Sequence, residues 1–234
     1  KYLIVGSGFA AGMMAMHLLE ADIDPDQIII AGPGKLGEGN AFGCKNDNFR
    51  LNVRSQIMWI KPDQREEFTN WAKLNINDPD AKHSNGYFYR RHDFARFISK
   101  KLTETKGLFS VKRYYNKITK LEKEYNDKQN VFFWKAHLDD GKIILSSYVI
   151  MATGNPEPEW PFKLDDTLLD PNKDFTSKLI VNPWMGEWLE DIQCDEKVLF
   201  IGSGLTALDG ITALFKREHQ GHIYLISPHG KLPP

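Results

Sequence analysis

Near its start the chain runs from an apolar tetrapeptide, Tyr2-Leu3-Ile4-Val5, straight into Gly6-Ser7-Gly8, and Met13, Met16, Leu18 and Leu19 follow at helical spacing. That order predicts a buried strand, a tight turn and a helix packed on a sheet. After the break at Asp24-Pro25-Asp26, the run Gln27-Ile28-Ile29-Ile30-Ala31 supplies a second strand, so the first thirty residues read as a βαβ unit with a parallel sheet. Each glycine has a purpose in such a turn. Gly6 permits the bend, Gly8 lets backbone approach a pyrophosphate, and Phe9 and Ala10 open a helix whose first N–H groups face an anion, with Ala11 at the close-packing position. A plain strand-to-helix turn is the alternative that the string alone leaves open.

The same grammar recurs 196 positions later. Lys197 to Ile201 reads as a strand, Gly202-Ser203-Gly204-Leu205-Thr206-Ala207 as the turn, Leu208 to Arg217 as the helix and His222 to Ser227 as the next strand. Such a separation is far too long for a solenoid period and points to two nucleotide sites. A dinucleotide turn usually has an Asp or Glu at the end of the following strand, where it binds ribose hydroxyls. The first turn lacks it: Ala31, Gly32 and Pro33 occupy the place, and the nearest acid is Glu38. The second lacks it too, and there Ser227, His229 and Lys231 offer donors and positive charge to a 2′-phosphate, which favours NADPH over NADH unless they are ordinary loop residues.

Between the two turns lie a Gly-rich loop at 32–43, a helix over 62–75 with Phe68, Trp71, Ala72 and Leu74 inward, and a helix over 91–105. Short strands at about 108–115, 117–125, 131–138 and 142–151 predict a small β-meander inserted before the strand ending in Val149-Ile150-Met151, and 155–196 reads as linker and loop with one short helix near Glu187. The fold class is therefore α/β: a Rossmann-like domain with a β-meander insertion, then part of a second Rossmann-like domain.

Thirty basic and 31 acidic residues leave a net charge of −1, which argues against a dedicated nucleic-acid or polyphosphate binder. Arg50, Arg54 and Lys61 around Trp59 accordingly read as a solvated face, and His17 as a surface or satisfied core residue. Cys44 and Cys194 are too far apart for a CxxC or zinc-finger pattern, so a reducing compartment is expected. With no apolar stretch long enough to span a bilayer and no secretory pattern at the start, a cytoplasmic protein without membrane partners is expected. The first residue is Lys1 and not Met, so the numbering is expected to begin late. No metal site and no catalytic acid–base set can be named.

Ordered matches along nearly the whole chain carry a family likeness. They are Gly6-Ser7-Gly8, Gly37-Glu38-Gly39-Asn40-Ala41-Phe42, Leu51-Asn52-Val53, Tyr89-Arg90-Arg91, Ile150-Met151-Ala152-Thr153-Gly154-Asn155-Pro156, Asn182-Pro183-Trp184, Gly202 to Asp209, and His229-Gly230-Lys231-Leu232-Pro233-Pro234. In these the chain resembles the bacterial FAD-NAD(P)-binding proteins and, more distantly, the flavin monooxygenases. The resemblance implies FAD along Gly6, Ser7, Gly8, Phe9 and Ala10, with its ring end toward Gly39, Asn40, Ala41 and Asn52. Ala152, Thr153 and Gly154 are implied where the chain leaves the flavin domain. NADPH is implied at Gly202, Ser203, Gly204, Leu205, Thr206, Ser227, His229 and Lys231. It also implies an FAD domain over 1–158, the start of an NAD(P) domain over 159–234, and hydride transfer from NADPH to flavin, with hydroxylation of an unnamed small-molecule substrate by likeness. The alternative is a nucleotide-binding module or fragment without turnover, since the numbered chain stops one βαβ unit into the second sheet.

Overall fold

The structure, a computed structural model, describes residues 1–160, 162–163 and 178–232. Part of the expected 155–196 linker, and Pro233-Pro234 of the closing segment, lie outside the described residues. In chain order the elements are β1 (Tyr2–Val5), α1 (Phe9–Glu20), β2 (Ile28–Ala31), α2 (Gly39–Phe42), α3 (Glu67–Asn75), β3 (Lys82–His83), β4 (Gly86–Tyr87), α4 (Arg91–Glu104), β5 (Lys112–Tyr114), β6 (Ile118–Asn126), β7 (Val131–Leu138), β8 (Ile143–Ser146), β9 (Tyr148–Met151), β10 (Val198–Ile201), α5 (Leu205–Lys216) and β11 (Ile223–Ile226).

Two compact units emerge, and no single boundary near residue 158 divides them. The first comprises Lys1–Gly43, Gln56–Asn77 and His92–Asn155, and the second Cys44–Ser55, Asp78–Arg91 and Pro156–Pro234. Residues 44–55 and 78–91, expected within the first domain, thus group with the C-terminal part of the chain.

The first unit is built on a parallel sheet of order β5-β2-β1-β9. Its central strands are apolar throughout because both faces are covered. Leu3, Val5, Ile29 and Ala31 pack against Ala136, Leu138 and Ile144 of the antiparallel β6-β7-β8 sheet. Ile4, Ile28 and Ile30 pack on the other side against Ala11 and Ala15 of α1. The meander therefore has three strands and not four. Residues 108–110 form a 3-10 turn, and β5 joins the parallel sheet, with Ala31 opposite Tyr114. The expected strand over 142–151 splits at Ser147, where the amides of Ser147 and Tyr148 both donate to the Lys1 carbonyl at 3.0 and 3.1 Å and so pass the chain from one sheet to the other. Helix α3 begins at Glu67, five residues later than the pattern suggested. Leu74 is 87% exposed, because helical spacing that buries Phe68 and Ala72 turns position 74 outward.

In the second unit β10 and β11 pair in parallel, Val198 opposite Ile223 and Ile201 opposite Ile226. Its core gathers Cys44, Phe49, Leu189, Ala213 and Leu214, with Trp188, Phe200 and Ile223 against them. The short helix expected near Glu187 is a 3-10 turn, Glu187–Leu189. Helix α5 lies close to its strand because Gly210 has no side chain: a Cβ there would stand 2.8 Å from Phe200 and 3.1 Å from Trp188.

Candidate dinucleotide sites

In a parallel sheet the strand carboxyl ends form the edge where ligands bind, and in the first unit three of them converge. Gly6, at φ +124°, follows β1, and its amide donates to the Ala31 carbonyl at 2.7 Å. On the β9 side, Ala152 donates to the Val5 carbonyl at 2.8 Å, and its own oxygen would stand 2.1 Å from a Cβ on Gly6. On the β2 side, a Cβ on Gly32 would lie 2.6 Å from the Gly6 carbonyl carbon. That contact gives a physical reason for the missing ribose acid at this position, since any side chain there collides with the turn. The hydroxyl of Ser7 donates to the Pro33 carbonyl and ties the turn to the end of β2. Glu38, the nearest acid, is paired with Lys35 at 2.5 Å.

The second turn repeats this geometry. Gly202 has φ +107° and donates to the Ile226 carbonyl at 2.7 Å; the Ser203 hydroxyl donates to the Lys231 carbonyl at 2.6 Å. Gly8 and Gly204 both stand as N-caps in extended backbone, φ −74° and −72°, and neither helix has a side-chain cap or an acidic residue in its first turn. The first N–H groups of α1 and α5 are thus left for an external acceptor, with the positive end of each helix dipole behind them.

Whether these residues fit a dinucleotide can be tested on the second glycine of each turn. Gly6 is required by its own backbone and neighbours; Gly8 is not. At ordinary φ, a Cβ on Gly8 would meet only the Gly39 Cα, at 3.7 Å, and one on Gly204 would meet no described atom within 4 Å. The fold thus tolerates a side chain where the sequence has none, and the space it would fill is the cradle that a pyrophosphate needs. Gly39, at φ +56°, places the N-terminus of α2 directly over Gly8. The residues present therefore fit a dinucleotide pyrophosphate at each turn.

Other expected site residues divide between the units. Phe9, Ala10, Asn40, Ala41, Thr153 and Gly154 belong to the first unit, where Phe9 and Phe42 meet edge-on at 5.7 Å between ring centroids. Asn52 belongs to the second unit, where its Oδ1 accepts from Arg91 Nη2 at 3.5 Å. Leu205 and Thr206 open α5, and Ser227, His229 and Lys231 follow β11, Lys231 brought back to the turn by the bond from Ser203.

Sequence reasoning missed a part-buried ion pair in the second unit. Arg91 Nη2 lies 2.7 Å from Asp209 Oδ2, with the side chains 13% and 15% exposed. Burial pushes the Asp209 carboxyl up to about 6 although Arg91 pulls it down. Nearby, burial raises the Cys44 thiol, whose Sγ donates to the Met185 carbonyl at 3.1 Å, so it is a protonated packing group and no nucleophile. Asp78 shows the opposite balance: burial pushes it up, but the two-pronged contact with Arg50, at 2.8 and 3.0 Å, together with Arg90 holds it below the usual range. Among the described residues no group of three or more His, Cys, Asp and Glu is arranged to hold a metal, and no helix is long and apolar enough to cross a membrane.

Comparison with known proteins agrees with this geometry. Residues 3–156 match the family model described as FAD-NAD(P)-binding, and the chain belongs to that family. FAD and NAD(P) are accordingly its cofactors. Among solved structures it is similar to OTEMO in complex with FAD and NADP, at 15% identity and a TM-score of 0.56 over 97% of this chain and 38% of that one. It is similar also to a cyclohexanone monooxygenase variant from Rhodococcus sp. Phi1 bound to NADP+, at 15% identity and a TM-score of 0.60 over 97% and 38%. The thioredoxin reductase of Lactococcus lactis is a third, at 15% and 0.54 over 97% and 63%. At these identities the likeness is one of fold, and the chain spans 38% of the length of the first two of these structures. No curated protein matches it.

Proposed function

We propose that this chain is the dinucleotide-handling part of an FAD-dependent oxidoreductase that takes hydride from NADPH, with a small molecule or oxygen as final acceptor. The observation that carries this reading is the pair of N-cap glycines, Gly8 and Gly204, which the fold itself does not require. When bound, the flavin supplies the electron chemistry and the nicotinamide the hydride. The chain's residues bind and orient: the amides opening α1 and α5 receive the two pyrophosphates, and the segment at Gly39 closes over the first turn. Ser227, His229 and Lys231 provide the donors and charge for a 2′-phosphate, which makes NADPH the preferred donor. Likeness to the cyclohexanone monooxygenase structure favours monooxygenation among the possible uses of reduced flavin. The two free thiols, Cys44 and Cys194, favour the cytoplasm.

Anaerobic reduction of the flavin-loaded protein, followed at the flavin absorbance, tests this directly. Reduction is expected to saturate at about tenfold lower NADPH than NADH, a charge-assisted phosphate contact being worth about 1.5–3 kcal/mol. Lys231→Ala should bring the two donors closer together. Bound flavin that neither nucleotide reduces would favour a binding module without turnover.

A further inference from the structure

We propose that Arg91, joined to Asp209, is a positioning residue for the second dinucleotide turn, holding α5 so that its opening amides stay aimed at the NADPH pyrophosphate. This rests on the reading above that the second turn takes that nucleotide.

Arg91 is fixed from several sides. Its backbone amide donates to the Phe49 carbonyl at 2.9 Å, Nε donates to the Arg50 carbonyl at 3.1 Å, and Nη2 reaches Asn52 Oδ1 at 3.5 Å. The guanidinium also sits 6.0 Å from the Phe49 ring centroid. Held in this way by residues 49–52, its Nη2 also donates to Asp209 of α5 at 2.7 Å. Asp209 is five residues beyond the N-cap Gly204, about 7.5 Å along the helix axis, so the tie grips α5 in its N-terminal half. The far end is held differently. Lys216 pairs with Asp80 at 3.0 Å, but both side chains are well exposed and such a pair contributes little. Loss of either member removes the charge-assisted bond that ties α5 to the segment at 49–52, and leaves the N-terminal half of the helix free to move. A helix anchored by Gly210 against Phe200 and Trp188 shifts by tilting about that contact, which moves the turn at its N-terminus. The same pair gives a role to Leu51-Asn52-Val53 and Tyr89-Arg90-Arg91, both of which fall in the second unit.

Protonation of Asp209 removes the charge that grips Arg91, so the effect fades as pH falls through about 6. The groups around Asp209 are Arg91 from the start of α4, Cys44 from the 44–55 segment and, acting on Cys44, Glu187 from the 3-10 turn. Calorimetric titration of the flavin-loaded chain with NADP+ tests the proposal in the parent, Asp209→Asn, Arg91→Met and Arg91→Lys. At pH 8 the first two variants should bind about tenfold more weakly, within the range typical of coupling between groups, and Asp209→Asn should do so with flavin content unchanged. Arg91→Lys should recover part of the loss. Between pH 8 and 5.5 the gap between parent and Asp209→Asn should close with a midpoint near 6. The 2′-phosphate of the nucleotide itself titrates in the same range, so the ratio of the two affinities is the quantity to read. Equal affinities at pH 8, or a gap that does not change with pH, would overturn the proposal and leave the nucleotide assignment standing. Failure of the parent to bind NADP+ at any pH would overturn both. Should Asp209→Asn lose its thermal transition, the parent-to-Arg91→Lys ratio over the same pH range decides in its place.

Discussion

Gly6 and Gly8 are two residues apart and do different work. Gly6 stands at φ +124° with the Ala152 oxygen 2.1 Å from where a Cβ would be, so Gly6→Ala meets both strain and collision and should cost about 2–4 kcal/mol of stability. Gly8→Ala meets neither. Stripped of flavin it should unfold at the temperature of the flavin-free parent, and yet it should bind flavin about 10- to 100-fold more weakly, because amide contacts to an anion are each worth about 1.5–3 kcal/mol. Thermal denaturation together with flavin absorbance per chain separates the two cases, and flavin retained in Gly8→Ala would remove the first site. From sequence both glycines were legible as a pair; which one served the fold and which the ligand was not, because that depends on Ala152, nearly 150 positions away.

At the scale of elements, α5 shows how a helix can be both apolar enough to bury and tied by charge. Its Ala213 and Leu214 enter the core, while Asp209 carries a carboxyl raised from 3.8 to about 6 by burial. A carboxyl whose folded value lies above its unfolded one binds more protons in the folded state between those two values. Its contribution is therefore fully present below about pH 4 and lost as pH rises through about 6. The rise is equivalent to about 3 kcal/mol. Urea unfolding from pH 4 to 7 should show the parent losing stability relative to Asp209→Asn across that window; parallel curves would mean that the carboxyl is not so perturbed. The meander teaches a related lesson. Spacing and turn chemistry located β6, β7 and β8 and set the strand ending at Met151 apart from them, but β5 read as part of the meander because a three-residue strand carries no periodicity that tells a parallel from an antiparallel neighbour.

Over the described residues, the cores on the two faces of β1 and β2 are separate from the one around Phe49, Leu189 and Leu214. Each unit carries one glycine turn, so each nucleotide should protect its own. In hydrogen exchange, FAD should slow the amides that open α1, and NADP+ those that open α5; FAD protecting α5 alone would reverse the assignment. How the chain divides could not be read locally, since residues 44–55 and 78–91 join the second unit through contacts such as Phe49 with Gly186 and Arg91 with Asp209. The sequence by itself determined the two strand–turn–helix–strand units, their glycines and the missing ribose acids, because backbone sterics and short-range hydrophobic periodicity act over a few residues. Tertiary structure alone decided which strands share a sheet, why position 32 has no room for an acid, and that Arg91 meets Asp209. Those facts depend on close packing between segments 25 to 150 residues apart, where the energy of a contact is set by neighbours that the local sequence does not name.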